Sequence, residues 1–452
     1  MARGRAGEIS TPIEQSEFAD LMASVGPFEA APHVAVACSG GRDSLALSLL
    51  LHDWTESRNG RVTALVVDHR LRPESGTEIR RVRQWLRQRG IRHRVLVRPD
   101  EPLTANLQAA ARDARYRLMS DWCAANGVLH LGLGHHLEDQ AETVLLRLAR
   151  GSGVDGLAAM AKISETSRVR YLRPLLETSR DRLRATLRAR RQPHIEDPSN
   201  ENPDFQRVRL RRAQPILDAE GLTARRLAVT ADSMGRARTA LERAAARCLA
   251  RCATLYPEGY CLLDEGPLRA APEEVTLRCL ARVVSCIGGR TYPPRLQRVE
   301  RLYDALMAED GLRGGRTLAG CRIVRWRKKL LVCREARAAT GVLTADAGGR
   351  WDERFDVGSS PHAALQIRRL GLDGWRDAHR RRPDLAALSL PPAVRPSLPA
   401  LWDLDGVVYI PHFRYIRPDP ALDPSAIPEV SFIPARPLTT AEFAMANRRV
   451  NG

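Results

Sequence analysis

Apolar positions in the first third of the chain fall into short runs set between longer stretches with helical spacing. Val34 to Cys38 is a compact apolar run that ends just before a glycine pair, and Val62 to Asp68 ("VTALVVD"), Arg92 to Arg98 ("RHRVLVR") and Val128 to Gly134 ("VLHLGLG") repeat the pattern. Short β-branched runs of this kind fit strands buried on both faces better than lone helix segments. Their alternation with helical stretches predicts an α/β fold built on a doubly wound parallel sheet. In such sheets ligands bind beyond the carboxyl ends of the strands. Ser39-Gly40-Gly41-Arg42-Asp43-Ser44, Asp68-His69 and His135-His136 would then share one rim.

Further along, Ser179 to Arg191 is an arginine-rich helical pattern, followed by the loop "QPHIEDPSNENPDF" with its Pro, Asn and Asp punctuation. The first domain is expected to close near Leu217. Leu222 to Cys252 is dense in Ala, Arg and Leu at helical spacing and predicts a mainly helical unit that continues through Thr276 to Met307. From Gly314 onward the alternation shortens toward strands, and the tail after Pro391 is Pro-rich with runs such as "GVVYIPHFRYI". The expected division is a leader over 1–30, the sheet domain over 31–217, a helical unit over 218–312 and a small β-rich α+β unit over 313–452.

Composition narrows the function. With 452 residues, 44% hydrophobic and 27% charged, the chain is long enough for two or three ordinary cores. No apolar stretch approaches the roughly 18 residues of a membrane span. The first 30 residues lack an apolar core and carry Glu8, Glu14, Glu17 and Asp20, so a cytoplasmic leader is expected, not a signal peptide. A net charge of +18 points to a polyanionic partner, nucleic acid first. Lys162, Lys328 and Lys329 are the only lysines; arginine supplies the rest. The nine cysteines form no CxxC pair and no zinc-finger spacing, so reduced thiols are expected.

The loop Ser39 to Ser44 joins a strand to a helix, where free backbone N–H groups and the helix dipole attract phosphate oxygens. Adjacent glycines permit the close approach that a phosphate nest needs. A plain capped turn is the bland alternative. The loop lacks the GK[ST] ending of a Walker A motif. An aspartate inside an anion nest repels phosphate unless a cation bridges the two, so Asp43 suggests Mg²⁺ held against pyrophosphate. In "GHHLEDQAETVLLRLARGSGVDG", His135, Asp139 and Glu142 are expected on one face of a helix at i, i+4 and i+7. That face could hold Mg²⁺ or an incoming amine, or merely complement the helix dipole.

The loop resembles the SGGxDS signature of the PP-loop, or N-type, ATP pyrophosphatases, which activate a carbonyl as an adenylate. "VDHRLRPES", "NLQAAARDARYRL", "GHHLEDQAETVLLRLARGSGVDGL", "RPLL" and "EDPSNENPDFQRVRLR" then follow in the order and spacing of tRNA(Ile)-lysidine synthetases, so that the resemblance covers about Val34 to Leu217. It implies that Ser39, Gly40, Gly41, Arg42, Asp43 and Ser44 bind ATP phosphates, with Asp43 on Mg²⁺, and that Asp68 and His69 line the nucleotide pocket. By the same resemblance Arg112, Arg115 and Tyr116 belong to the site where lysine, ATP and cytidine meet. His136, Asp139, Gln140 and Glu142 form its polar face, with Asp139 steering the lysine amine. Arg207 and Arg211 match a basic block in which the family usually has Arg-Asn and this chain has Arg207-Val208.

The implied reaction adenylates C2 of the wobble cytidine of tRNA(Ile) with a CAU anticodon and then joins free L-lysine there. A homodimer is compatible with the sequence, and no membrane partner is expected. Two rivals remain: a thiolase using the same loop, which the lack of a cysteine pair near the loop disfavours, and a non-catalytic RNA-binding relic, which an intact loop disfavours. The C-terminal units loosely resemble tRNA-binding appendages.

Overall fold

The structure, a computed structural model, describes residues 10–68, 75–98, 107–166, 168–196, 204, 206–290, 292–360, 365–387, 389–418 and 427–439. The chain divides into two compact units that part between Thr239 and Ala240.

The first unit runs α1 (Gln15–Ala23), β1 (His33–Ala37), α2 (Arg42–Glu56), β2 (Arg61–Asp68), α3 (Ser75–Gln88), β3 (Arg92–Val97), α4 (Leu107–Ala125), β4 (His130–Gly132), α5 (Leu137–Leu148), α6 (Val154–Leu157), β5 (Ile163–Glu165), β6 (Arg170–Leu172), α7 (Arg180–Ala189), α8 (Gln206–Ala219) and the start of α9 (Ala224–Cys252). Its six-stranded sheet has the order β3-β2-β1-β4-β6-β5. The first five of these are parallel to their neighbours, and β5 closes the edge as an antiparallel partner of β6. All four expected strands are present. Val34, Ala35 and Val36 are fully buried, which is why β1 reads as an unbroken apolar run with no polar alternation. The chain leaves β1 toward β2 and β3, then returns to lay β4 on its other side, so the β1 and β4 turns open side by side at a topological switch point.

The segment expected as a leader belongs to the fold where it is described. Ile13, Phe18, Met22 and Val25 are buried in one cluster with Leu47, Leu50, Trp54, Leu183 and Leu187. The Ile13 amide donates to Thr186 Oγ1 at 3.0 Å, and the Arg182 guanidinium holds the Glu17 carboxylate together with the Thr11 and Pro12 carbonyls. Of the acidic residues that argued for a leader, Glu17 and Asp20 lie on the outer side of this amphipathic helix and Glu14 caps it, while Glu8 lies outside the described residues.

The second unit continues α9 into β7 (Ala253–Tyr256), β8 (Tyr260–Leu263), α10 (Glu265–Ala270), α11 (Glu273–Ile287), α12 (Leu296–Met307), β9 (Arg316–Leu318), β10 (Cys321–Trp326), β11 (Lys329–Arg334), β12 (Leu343–Thr344), β13 (Gly349–Trp351), β14 (Phe355–Val357), β15 (Gln366–Arg369), α13 (Gly371–Arg381), β16 (Pro399–Asp403), β17 (Gly406–Ile410), β18 (Tyr415–Ile416) and β19 (Val430–Phe432). Three antiparallel sheets result, of orders β7-β8-β11-β10-β9, β12-β15-β16-β17-β18 and β13-β14-β19. The first sheet takes strands from both sides of residue 312, because the apolar run Tyr260–Leu263 is buried throughout and pairs with β11. Beneath it, α11 buries Cys279, Val283, Cys286 and Ile287. A charged knot fastens the sheets: Asp352 accepts from Arg334 Nη2 at 2.6 Å and from Arg354 Nε at 2.7 Å, while those arginines also donate to the Gly288 and Ser397 carbonyls.

Since Phe18 is almost wholly buried, Phe18→Ala should cost the protein about 3–5 kcal/mol of stability in denaturant unfolding. A loss below about 1 kcal/mol would mean that α1 is only loosely docked.

Candidate active site

The β1 turn is built by Gly40, at φ +83°, where a side chain would be strained and a β-carbon would lie 2.3 Å from Val82 Cγ2. Its carbonyl accepts the Ile195 amide at 2.9 Å, which ties the turn to the loop after α7. Gly41 caps α2, and Ser44 Oγ donates to the Gly41 carbonyl at 2.9 Å while accepting the Ser39 amide at 3.2 Å. The serines thus brace the turn from within. Asp43, in the first turn of α2, accepts from Arg42 Nε at 2.9 Å.

The β4 turn approaches closely because Gly134 has no side chain: a β-carbon there would sit 3.0 Å from the Asp43 carbonyl oxygen. The helix α5 starts at Leu137 with His136 as its cap. His135 therefore precedes the helix and does not share a face with Asp139 and Glu142; the expected i, i+4, i+7 face is corrected to His136, Asp139 and Glu142. His136 is buried, with Nε2 3.5 Å from both Asp43 Oδ2 and Asp139 Oδ2 and Nδ1 2.9 Å from Glu138 Oε2. Its backbone amide donates to Asp139 Oδ2 at 3.2 Å. Burial disfavours a charged imidazole, yet the hydrogen bonds it donates to Asp43 and Glu138 and the charge of Asp139 outweigh it and raise the His136 pKa to about 9. Asp43 is penalised by burial too, but His136 and Arg42 hold its carboxyl well below the usual range. The two adjacent turns are thus joined through one imidazolium.

Glu142 is buried and paired: Arg211 Nε donates to Oε1 at 2.5 Å, and Arg180 Nη2 lies 3.7 Å from the same oxygen. Arg211 Nη2 also lies 3.9 Å from Asp139 Oδ1, so α8 closes the acidic rim. Arg207 is exposed one turn earlier, and Val208, standing where the family usually has Asn, is buried. Gln140 commits both ends of its amide to the Met160 backbone, at 2.8 and 3.0 Å, and so clamps a loop. The exposed Arg112 donates to Tyr116 Oη at 3.2 Å and stacks over that ring. Arg115 lies 5.7 Å from the ring centroid, and burial lowers its pKa. His135 is driven well below its usual pKa by burial and then by the charges of Arg173, Arg112, Arg115 and Arg207, so it stays neutral beside a guanidinium cluster. Asp68 ends β2 on this rim, with Ser75 Oγ 3.5 Å from Oδ1. His69 lies outside the described residues.

Glu138, Arg173 and Arg180 are the neighbours that sequence reasoning missed. Glu138 and Arg173 stood inside the quoted blocks, and Arg180 lay in the arginine-rich stretch Ser179 to Arg191, where nothing set it apart from its neighbours. Thiol chemistry has little support here: Cys38 and Cys123 are both buried, and burial raises both pKa values, that of Cys123 to about 12.

In the metal-free protein, the His136 imidazole should titrate near pH 9 by NMR, against about 6.5 for a solvated histidine. Its folded pKa is raised, so the stability it adds is full below about pH 6.5 and is lost as pH rises toward 9. The stability difference between wild type and His136→Asn should shrink over that window. A pH-independent difference would remove the imidazolium from the site.

Residues 11–216 match the PP-loop domain family. The chain is 37% identical over 389 residues to a tRNA(Ile)-lysidine synthase of Ruegeria pomeroyi, covering 85% of this chain and 90% of that protein. It is 40% identical over 331 residues to the tRNA(Ile)-lysidine synthase of a Bradyrhizobium species, covering 71% and 88%. Among solved structures, a U34-tRNA thiolase from Methanococcus maripaludis with its 4Fe-4S cluster is similar at 18% identity and a TM-score of 0.42, over 48% of this chain and 77% of that one. Relatives matched over most of their length, together with the PP-loop domain match over residues 11–216, make this chain a member of the tRNA(Ile)-lysidine synthase family, ATP-dependent ligases of the PP-loop class.

Proposed function

We propose that the protein adenylates the C2 carbonyl oxygen of the wobble cytidine in tRNA(Ile) with a CAU anticodon and then joins free L-lysine to that carbon. The observation that carries this reading is the junction of the phosphate turn after β1 with the carboxylate rim after β4, made through His136. In the first step the cytidine oxygen attacks the α-phosphate of ATP, and the bond to pyrophosphate breaks. In the second, the lysine ε-amine attacks C2, AMP leaves with the oxygen, and the amine gives up its proton. Adenylation is needed because an amide-like oxygen is a poor leaving group. The product changes both codon and amino-acid identity from Met to Ile.

Ser39, Gly40, Gly41, Arg42 and Ser44 hold the ATP phosphates at the α2 N-terminus. Asp68 lines the nucleotide pocket, and His69 follows it in sequence. The acidic rim offers only oxygen donors besides His136, which suits a hard cation, and among the described residues no three His, Cys, Asp or Glu side chains converge to hold a metal unaided. That fits Mg²⁺, which commonly takes one or two carboxylates together with substrate phosphates. Asp43 would hold it, and when bound it would neutralise charge developing on the phosphates. His136⁺ sits 3.5 Å from the same carboxylate, so proton and metal compete for Asp43. Asp139 orients the amine and accepts its proton. Arg112, Arg115 and Tyr116 receive the cytidine, which must leave its stack. Arg211 holds Glu142 and Asp139 in place, and Arg207 faces the incoming RNA. The expected appendages over 218–312 and 313–452 share one sheet across residue 312, and the second unit, from Ala240, serves as the tRNA-binding appendage; the protein works in the cytoplasm.

ATP-dependent incorporation of labelled lysine into total tRNA, with pyrophosphate release followed in parallel, tests the reading. Asp43→Asn should abolish pyrophosphate release with tRNA binding nearly intact. Asp139→Asn should keep some adenylation while lysine transfer falls by orders of magnitude, a loss confined to the second step. Sulfur entering the tRNA in place of lysine would overturn the assignment. Adding Mg²⁺ and ATP should lower the His136 pKa; an unchanged value would take the metal away from Asp43.

A further inference from the structure

The turn of the β10–β11 hairpin holds two residues in a conformation their side chains disfavour. Trp326 pairs with Lys329, so Arg327 and Lys328 alone close the hairpin, at φ +46° and +65°. Positive φ at both positions defines a type I′ turn, for which Asn-Gly, Asp-Gly or Gly-Gly is preferred because a β-carbon is penalised there. Neither Arg nor Lys helps such a turn fold. Both side chains are exposed. The nearby acids are engaged by flanking residues: Asp264 Oδ2 lies 3.2 Å from Lys329 Nζ, and Glu265 Oε1 accepts from Arg325 Nε at 3.0 Å. Among the described residues no ion pair involves Arg327 or Lys328.

The tip is also braced. The Arg327 guanidinium lies 4.6 Å from the centroid of the Trp326 ring, and Trp326 itself packs against the buried cluster that contains Tyr260, Leu262 and Leu331. A stacked guanidinium is pre-oriented and loses little freedom when it meets an anion. Lys328, one of only three lysines in the chain, projects a compact, strongly hydrated point charge from the tight turn.

We propose that Arg327 and Lys328 form a phosphate-contacting finger that holds the sugar-phosphate backbone of the tRNA substrate. The identity of that RNA rests on the function proposed above; the finger itself rests on the strained turn and its unanswered positive charge. Contacts of this kind carry no sequence information and fix the position of the RNA on the protein. The turn thus retains two cations at the expense of a better-folding pair.

The test sets stability against binding. Full-length Arg327→Asn/Lys328→Gly places the preferred residues in the turn, so its thermal midpoint should stay level or rise. Its affinity for tRNA should fall about tenfold near physiological salt, and the slope of log K against log salt should lessen by about one to two, as for one or two lost phosphate contacts. Lys328→Arg, which keeps the charge, should retain near wild-type affinity. A folded double variant with unchanged affinity and slope would overturn the finger and leave the turn as plain surface, or as a contact for an acidic protein. Wild-type lysine incorporation, run in parallel, separates the two ideas. Lysine transfer with unchanged variant binding sinks the finger alone, whereas weakened binding without any lysine transfer by the wild type sinks the proposed reaction and keeps the finger.

Discussion

The close packing of the β4 turn on the β1 turn is the constraint on which the site depends. With no side chain at Gly134, the backbone of Asp43 can sit against it, and the N-termini of α2 and α5 then open toward the same volume. Both helix dipoles favour the anions there, yet Asp43, Glu138 and Asp139 crowded together still repel one another, and His136 relieves all three while Arg42 holds Asp43 as well. The raised pKa of His136 follows from the crowding of carboxylates, and the crowding follows from the absent β-carbon.

Parallel strand order makes the crowding possible. Because β1 lies between β2 and β4, the connections from β1 and β4 diverge to opposite sides and leave a crevice at their carboxyl ends. The rim is completed by elements far off in sequence: Arg180, just after the β6 turn, and Arg211 on α8 both reach Glu142. Burying Glu142 unpaired would be costly, so these arginines answer a charge that the α5 sequence had already placed inside.

Much of this was legible in the chain. β1, β2 and β4 were readable because their middles are buried on both faces and carry few polar residues, whereas β3, with no buried residue, was found by its place in the alternation of strands and helices. The glycine pair marked a strand-to-helix turn, and only the ordered blocks around it favoured phosphate over a plain cap. The α5 face was misplaced because an unusual cap, His136 instead of Ser, Thr, Asn or Asp, delayed the helix by two residues. α1 was overlooked because in nine residues it buries only Phe18 and Met22, too few to stand out beside Glu17 and Asp20. β5 and β6 have three residues each, too few to show a period. The clamp of Gln140 on Met160 and the pairing of Arg211 with Glu142 join residues 20 and 69 positions apart, and no local pattern encodes either.

The core of the second unit is rich in sulfur: Cys248, Cys252, Cys261, Cys279, Cys286, Cys321 and Cys333 are all buried and unbridged. Folded, these thiols are small hydrophobic fillers shielded from oxidants, and burial keeps most of them protonated. Unfolded, the same side chains return to an ordinary acidity and become free to cross-link at random within or between chains. Recovery from heat therefore depends on the redox poise of the solution as well as on temperature. Without a reductant, loss of this unit becomes a one-way event, governed by how often it opens and not by the equilibrium between its folded and unfolded forms.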